Sequence, residues 1–308
     1  MSAMPAAPDL APIVLFAYTR PGHLQRALDS LRGNAEAAAS ALYVYCDGAR
    51  KPEHRPGVEA VRRLVGEIGG FASVTAVFRE RNLGLAASVT SGVSEVLSRH
   101  GRAIVVEDDL VVSPYFLRFM NDGLDCYADE ERVASIHGYC YPTGRALPET
   151  FFLRGADCWG WATWSRAWAH FDADGAALLA RLQGGGLARG FDLEGAYPYT
   201  KMLADQVAGR NDSWAVRWHA ACYLDDMLTL YPGRSLVDNI GNDGSGTHSG
   251  TTDQYVQTVA TAPVAVERQA LEPSIVAREA FANFLRRERG GLARRAARAL
   301  RDRLVSWT

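Results

Sequence analysis

Four short apolar runs, separated by segments of a different period, constrain this chain more than any other feature. They are "PIVLFAY" (12–18), "ALYVYC" (41–46), "SVTAVF" (73–78) and "AIVV" (103–106). Each has the length and β-branched content of a buried strand. Between them, apolar residues recur at three- and four-residue steps. Leu24, Leu28 and Leu31 follow Pro21; Val58, Val61, Leu64, Val65 and Ile68 follow Pro56; Leu85, Val89, Val93, Val96 and Leu97 precede the fourth run. Proline suits the first turn of a helix, where no backbone donor is needed. Strands alternating with helices, the strands almost wholly apolar, predict an α/β fold with a mostly parallel sheet flanked by helices. In such sheets ligands sit at the carboxyl ends of the strands. The polar residues gather there: Thr19-Arg20, Asp47-Gly48, Arg81-Asn82 and Glu107-Asp108-Asp109.

Bulk properties narrow the function classes. A chain of 308 residues suits one large domain or two small ones. A net charge of −2 gives no whole-protein field favouring nucleic acid, and none is expected as a partner. Five cysteines, an odd number without a C-x-x-C pair, argue against a disulfide framework or a zinc site. "MSAMPAAPDLAP" lacks the basic-then-apolar pattern of a signal peptide, and no uncharged run reaches membrane-spanning length. The expectation is a cytoplasmic protein.

From about residue 130 to 255 the pattern is less regular. Glycine-rich links interrupt helical segments, and six of the seven tryptophans fall between Trp159 and Trp218. The C-terminal stretch has eight arginines against two acids between Arg286 and Arg303, set opposite an apolar stripe through Leu292, Ala296, Leu300 and Leu304. A basic amphipathic helix can lie on an anionic membrane, which would put the protein at the inner face as a peripheral partner. Packing on its own domain or on another protein accounts for the pattern equally well.

The carboxylates at 107–109 carry the chemistry. Three adjacent acids repel one another, and burial raises their pKa values unless something positive sits among them. Hard cations such as Mn²⁺ or Mg²⁺ prefer oxygen ligands and need only one or two protein carboxylates when diphosphate oxygens fill other positions. Asp109 is then the metal ligand, with Asp108 and Glu107 facing ribose hydroxyls or ordering water. A solvated acidic turn is the plain alternative, and position at a strand end beside three other polar ends favours the cation. Indole faces stack on the C–H faces of sugars, so Trp161 in "CWGWATWSRAW" is the candidate wall of a sugar site. Trp164 and Trp168, four apart, read as core.

At this point the chain resembles GT-A-fold glycosyltransferases. "EDDL" after an apolar strand is similar to the acidic metal motif in the form found in N-acetylglucosaminyltransferase I. "PIVLFAYTRPGHLQRALDSL" resembles that family's first strand and helix, "YVYCDGARKPEH" its second strand, and "RNLGLAASVTSG" the N-x-G segment of family 2 transferases. A weaker likeness resumes at "WGWATW", "NDSWAVRW" and "GNDGSGTHSGTTDQY". The resemblance implies a single transferase domain over 12–265, with a nucleotide-binding half (12–139) and an acceptor and sugar half (140–265). It leaves a flexible stretch 1–11 and a basic helical tail 266–308. It further implies that Arg20 contacts the nucleotide diphosphate, that Asp47 accepts a hydrogen bond from the base, and that Asn82 and Gly84 shape the turn admitting base and ribose. A surface ion pair, a turn residue and a helix start are the plain readings of these positions.

An inverting transferase needs a general base opposite the leaving diphosphate. Asp212 in "RNDSWAVRW" matches the acid of the related enzymes. The relatives have two adjacent acids where this chain has Asp212-Ser213, so Asp205 stands as a lesser candidate, and a helix cap is the plain reading of Asp212. The glycines of 241–250 suit a closing loop, in which His248 would complete the metal shell or bind diphosphate and Asp243 would compete for the metal. His219 reads as a core or helix residue.

The expectation is therefore a metal-dependent inverting glycosyltransferase. It would move a sugar, N-acetylglucosamine being one candidate, from a UDP-linked donor to a glycan, a lipid-linked sugar or another hydroxyl acceptor. A sugar-phosphate nucleotidyltransferase is the enzymatic alternative, although "AYTRPGHLQ" lacks the glycine-rich basic loop that would hold a triphosphate. A catalytically silent carbohydrate-binding protein is the non-enzymatic one.

Overall fold

The computed structural model describes residues 10–244 and 252–305, with side chains up to Gly290 at the C-terminal end. The first half runs β1 (Ile13–Ala17), α1 (Pro21–Arg32), β2 (Ala41–Cys46), α2 (Arg55–Gly66), β3 (Ser73–Phe78), α3 (Leu85–His100), β4 (Arg102–Glu107) and β5 (Leu110–Val112). The second continues with α4 (Phe116–Cys126), β6 (Val133–His137), β7 (Thr150–Arg154), β8 (Trp161–Trp164), α5 (Ser165–Trp168), α6 (Gly175–Gly184) and α7 (Ala188–Phe191). It closes with α8 (Tyr199–Val207), α9 (Trp214–Leu224), β9 (Leu228–Pro232), β10 (Val237–Asn239) and α10 (Ile275–Val305).

All four predicted strands form, and each of the three helical patterns between them is a helix. Leu24, Leu28 and Leu31 of α1, Val58, Val61 and Val65 of α2, and Val89, Val93, Val96 and Leu97 of α3 are buried. The strands belong to one eight-stranded sheet in the order β3-β2-β1-β4-β8-β6-β9-β7. Its first four strands are parallel, as is the β6–β9 pair, whereas β4–β8, β6–β8 and β7–β9 are antiparallel. β1 and β4 are fully apolar inside the sheet, with Ile13 to Leu15 and Ala103 to Val106 at 0–1% exposure. β3 departs from the expected buried strand. As the sheet edge it has β2 as its one neighbour, and Phe78 is 44% exposed with the Arg62 guanidinium over its ring.

Two features of this topology position a site. The chain steps outward from β1 to β2 to β3, and α3 then carries it back to the other side of β1. The strand order thus reverses between β1 and β4, where a crevice opens at the carboxyl ends. Directly after β4, β5 pairs antiparallel with β10 in a small separate ribbon. That ribbon brings residues 238–243 over the end of β4, and the Ile240 amide donates to the Asp109 carbonyl at 2.9 Å.

The C-terminal segment is more than a tail. Ala277 and Phe281 of α10 are buried with Phe151, Leu153 and Tyr231, and Ala282, Phe284 and Leu285 are buried with Ala196. Arg286, Arg287 and Arg289 donate to the carbonyls of Leu193 and Glu194, of Thr143, and of Gly195 and Ala196. Up to Arg289 the helix therefore docks on its own domain. No helix among the described residues is long and apolar enough to cross a membrane.

Candidate active site

The reversal point is occupied by Arg20 and the three acids. Arg20 follows β1 and stands just before Pro21 at the start of α1, so its side chain leaves the strand end toward β4. Its Nη2 donates to Asp108 Oδ1 at 2.5 Å and to Asp109 Oδ2 at 2.8 Å. Asp108 is 4% exposed and also accepts from the Tyr18 amide at 3.3 Å. Burial works against the Arg20 charge, but Asp108 and Asp109 outweigh it and the guanidinium pKa is raised. Burial pushes Asp108 up to about 6 against the pull of Arg20. Glu107 rises further, to about 8, through burial and then through the charges of Asp109 and Asp108. One guanidinium bridges Asp108 and Asp109, with Glu107 buried beside them, so acids outnumber bases at this point.

The residues present fit a hard divalent cation. Every acidic ligand atom is an oxygen, and Asp109 Oδ2 presses so closely on Gly241 that a Cβ there would overlap it. Among the described residues, no three His, Cys, Asp or Glu side chains converge as a closed metal cage. Arg20 Nη1 is buried without a hydrogen-bond partner, a donor left for an anion. Beside this point, Asp238, Asn239, Ile240, Asn242, Asp243, Thr252, Asp253 and Val256 line an open cavity of about 560 Å³. Asp243 Oδ2 lies 3.1 Å from His23 Nε2 of α1. His248 lies outside the described residues.

Asp47, buried at the end of β2, accepts from the amides of Leu83 at 2.9 Å and Gly84 at 3.0 Å, and from its neighbour Gly48 at 3.1 Å. Asn82 donates to the Gly48 carbonyl at 2.9 Å. Both side chains thus tie the β3–α3 turn to the end of β2. Here Asp47 organises the turn expected to admit a base, with its oxygens directed at the backbone. Gly84 at φ +81° allows the bend that presents two successive amides to one carboxylate.

Asp212 sits on the same rim. Its Oδ2 lies 3.5 Å from where a Cβ on Gly84 would stand, and its side chain is 61% exposed. The cap of α9 is Ser213, which accepts from the Val216 amide at 3.2 Å, so the cap reading of Asp212 is corrected. Asp205, the lesser candidate base, is ion-paired with Lys201 and Arg210. Hydrogen bonds from Lys201 and Arg210 hold its carboxyl below the usual range.

Trp161 is a correction. It is 0% exposed in the central strand β8 and packs on Trp214, Trp168 and Trp218 at ring distances of 5.5, 5.7 and 6.3 Å. A strand with neighbours on both edges and helices on its face buries every side chain, and the indole goes to the core with Trp164 and Trp168. Trp159 lies before Gly160, whose φ of +68° breaks the strand alternation. It is only partly buried, against Tyr139 at 4.8 Å and Tyr255 at 5.6 Å. Sequence reasoning also passed over Asp157, whose Oδ2 lies 3.8 Å from Nε2 of the fully buried His137.

No protein-family model and no curated protein matches the chain. Solved structures similar to it include a mannosyltransferase from Pyrobaculum calidifontis in complex with GDP-Man and Mn²⁺. That likeness is at 14% identity and TM-score 0.40, over 70% of this chain and 69% of the other. Glucosyl-3-phosphoglycerate synthase from Mycobacterium tuberculosis, with Mn²⁺, UDP and glucosyl-3-phosphoglycerate, is similar at 11% and 0.36, over 78% of each chain. A UDP-glucose pyrophosphorylase complexed with UDP-glucose is similar at 10% and 0.36, over 72% of this chain and 90% of that one.

Proposed function

We propose that the protein is a metal-dependent glycosyltransferase of the GT-A type, taking a UDP-linked sugar to a hydroxyl acceptor with inversion. One observation carries the reading. At the reversal of strand order, a partly buried arginine with one buried, unpartnered nitrogen bridges two of three adjacent acids. An excess of acid beside an unused cationic donor suits a ligand that brings a cation and a diphosphate together. Asp109, with Asp108 beside it, would hold Mn²⁺ or Mg²⁺, which when bound would neutralise charge on the departing diphosphate. Arg20 would turn its free nitrogen to a phosphate oxygen, and the turn held by Asp47 and Asn82 would bound the nucleoside. Asp212, exposed and free of cap duty, would take the acceptor proton.

The test is calorimetric titration with UDP in the presence of Mn²⁺. Wild-type protein should bind UDP only with the metal. Asp109→Ala should abolish that binding while unfolding normally, since a strand-end acid adds little to the core. Metal-dependent binding retained by the folded variant would overturn the assignment.

A further inference from the structure

α10 carries two apolar stripes that do not lie on the same face. Along its first half Ala277, Ala280, Phe281, Phe284 and Leu285 are buried, at the three- and four-residue steps of a single helix face. Continued past Leu285, the same steps reach Glu288, Gly291, Arg295, Arg298 and Asp302. The docking face therefore turns from apolar to charged. Arg286, Arg287 and Arg289 fasten the last docked turn to backbone carbonyls. Gly290-Gly291 follow, a pair that lowers helix propensity where the docked stretch ends.

The helix nevertheless continues to Val305. Within 291–305, helical spacing places Leu292, Ala293, Ala296, Ala297, Leu300 and Leu304 on one side. At about 100° per residue this second stripe is centred about 120° round the helix from the first, and it runs for about 18 Å. Arg294, Arg295, Arg298 and Arg301 fall opposite it. Arg303 falls among the apolar positions, near the end, where a long basic side chain can reach back to a polar layer. These positions hold five arginines and one acid, a charge of +4. The whole chain is at −2, so all the rest together is at −6. An anionic surface would attract this stretch and repel the remainder.

We propose that 291–305 is an amphipathic surface helix that holds the protein to an anionic lipid membrane, with 275–289 as its mount on the domain. A bilayer meets both sides of such a helix at once. The leucine and alanine side enters the boundary between headgroups and acyl chains, and the arginines lie at the phosphate layer. A partner helix would cover the apolar side and leave the excess charge unmatched. Three leucines among alanines bury a modest apolar area, so the attachment depends on charge. The proposal does not depend on the reaction proposed above.

The experiment is sedimentation of the full chain with vesicles of phosphatidylcholine alone and of phosphatidylcholine mixed with phosphatidylglycerol. Wild-type protein should bind the mixed vesicles at low salt, leave them as salt is added, and ignore the neutral ones. A variant with Arg294→Gln, Arg298→Gln and Arg301→Gln should lose about fivefold in affinity per arginine, more than tenfold in all. Leu292→Asp together with Leu300→Asp should weaken binding as well. Both variants should unfold in urea at the wild-type midpoint, because the second stripe is not the docking face. Binding that needs the arginines but not the leucines would make the ligand a polyanion without a bilayer, and the assignment falls. It falls equally if wild-type protein ignores the mixed vesicles. A dimer that the leucine variant dissociates in sedimentation velocity would give the stripe to a second copy, and a lowered midpoint would give it to the domain; either result overturns the membrane contact.

Discussion

Asp212 and His219 illustrate two different demands on single residues. Asp212 stands exposed beside Gly84, and Ser213 relieves it of the cap. Asp212→Asn should leave nucleotide-sugar affinity near wild type and lower turnover about 10²–10⁴-fold; near-normal turnover would return it to the surface. His219 is buried, and burial lowers its pKa to about 4, against partial compensation from Asp157. Its Nδ1 accepts from the Ala156 amide, so the neutral ring is the one the fold needs. The sign follows. Below its unfolded pKa near 6.5 the unfolded chain takes a proton that the folded one refuses, so stability falls with pH until about 4 and no further. His137, lowered by burial as well, adds in the same direction. Urea unfolding at pH 5 and 7 should differ by about 2 kcal/mol through His219 alone. His219→Gln, which keeps an acceptor, should flatten that difference.

Among the elements, α9 shows how a local signal sets the site. Ser213 caps it at φ −75° and ψ 110°, an extended conformation that turns the preceding Asp212 outward toward the β3–α3 turn. Ser213→Ala should cost about 1 kcal/mol of unfolding free energy. It should also lower turnover, because the rim acid loses its fixed start; unchanged turnover would separate the cap from the catalytic rim. The sequence carried the strands β1 to β4, the helices between them and the polar strand ends, since those depend on short-range period and turn chemistry. It did not carry β8. "WATW" reads as a sugar wall or as core with equal ease, and the choice was made by neighbours on both edges of a strand.

For the molecule as a whole, α10 decides how the second half is held. Phe281 meets Tyr141 at 4.8 Å and both Phe151 and Tyr231 at 5.8 Å. Phe281→Ala should destabilise by about 3–5 kcal/mol in denaturant unfolding. A dispensable tail would show no such effect. The arginines from 286 to 289 seemed open to a membrane in sequence because their charge pattern is visible and their partners are not. Those partners are backbone carbonyls some ninety to one hundred and forty residues earlier.

What the sequence determined by itself is the parallel half of the sheet and the acids at its carboxyl end. Apolar runs of strand length, helix starts at proline and adjacent carboxylates are local facts, and their energetics act over a few residues. Only the tertiary structure decided that Arg20 reaches Asp108 and Asp109, that Asp47 holds the Leu83 and Gly84 amides, and that Trp161 is fully buried while Trp159 is only partly so. Each of these depends on which strand lies beside which and in what direction, a choice made by the packing of the whole apolar core rather than by any segment's own preference.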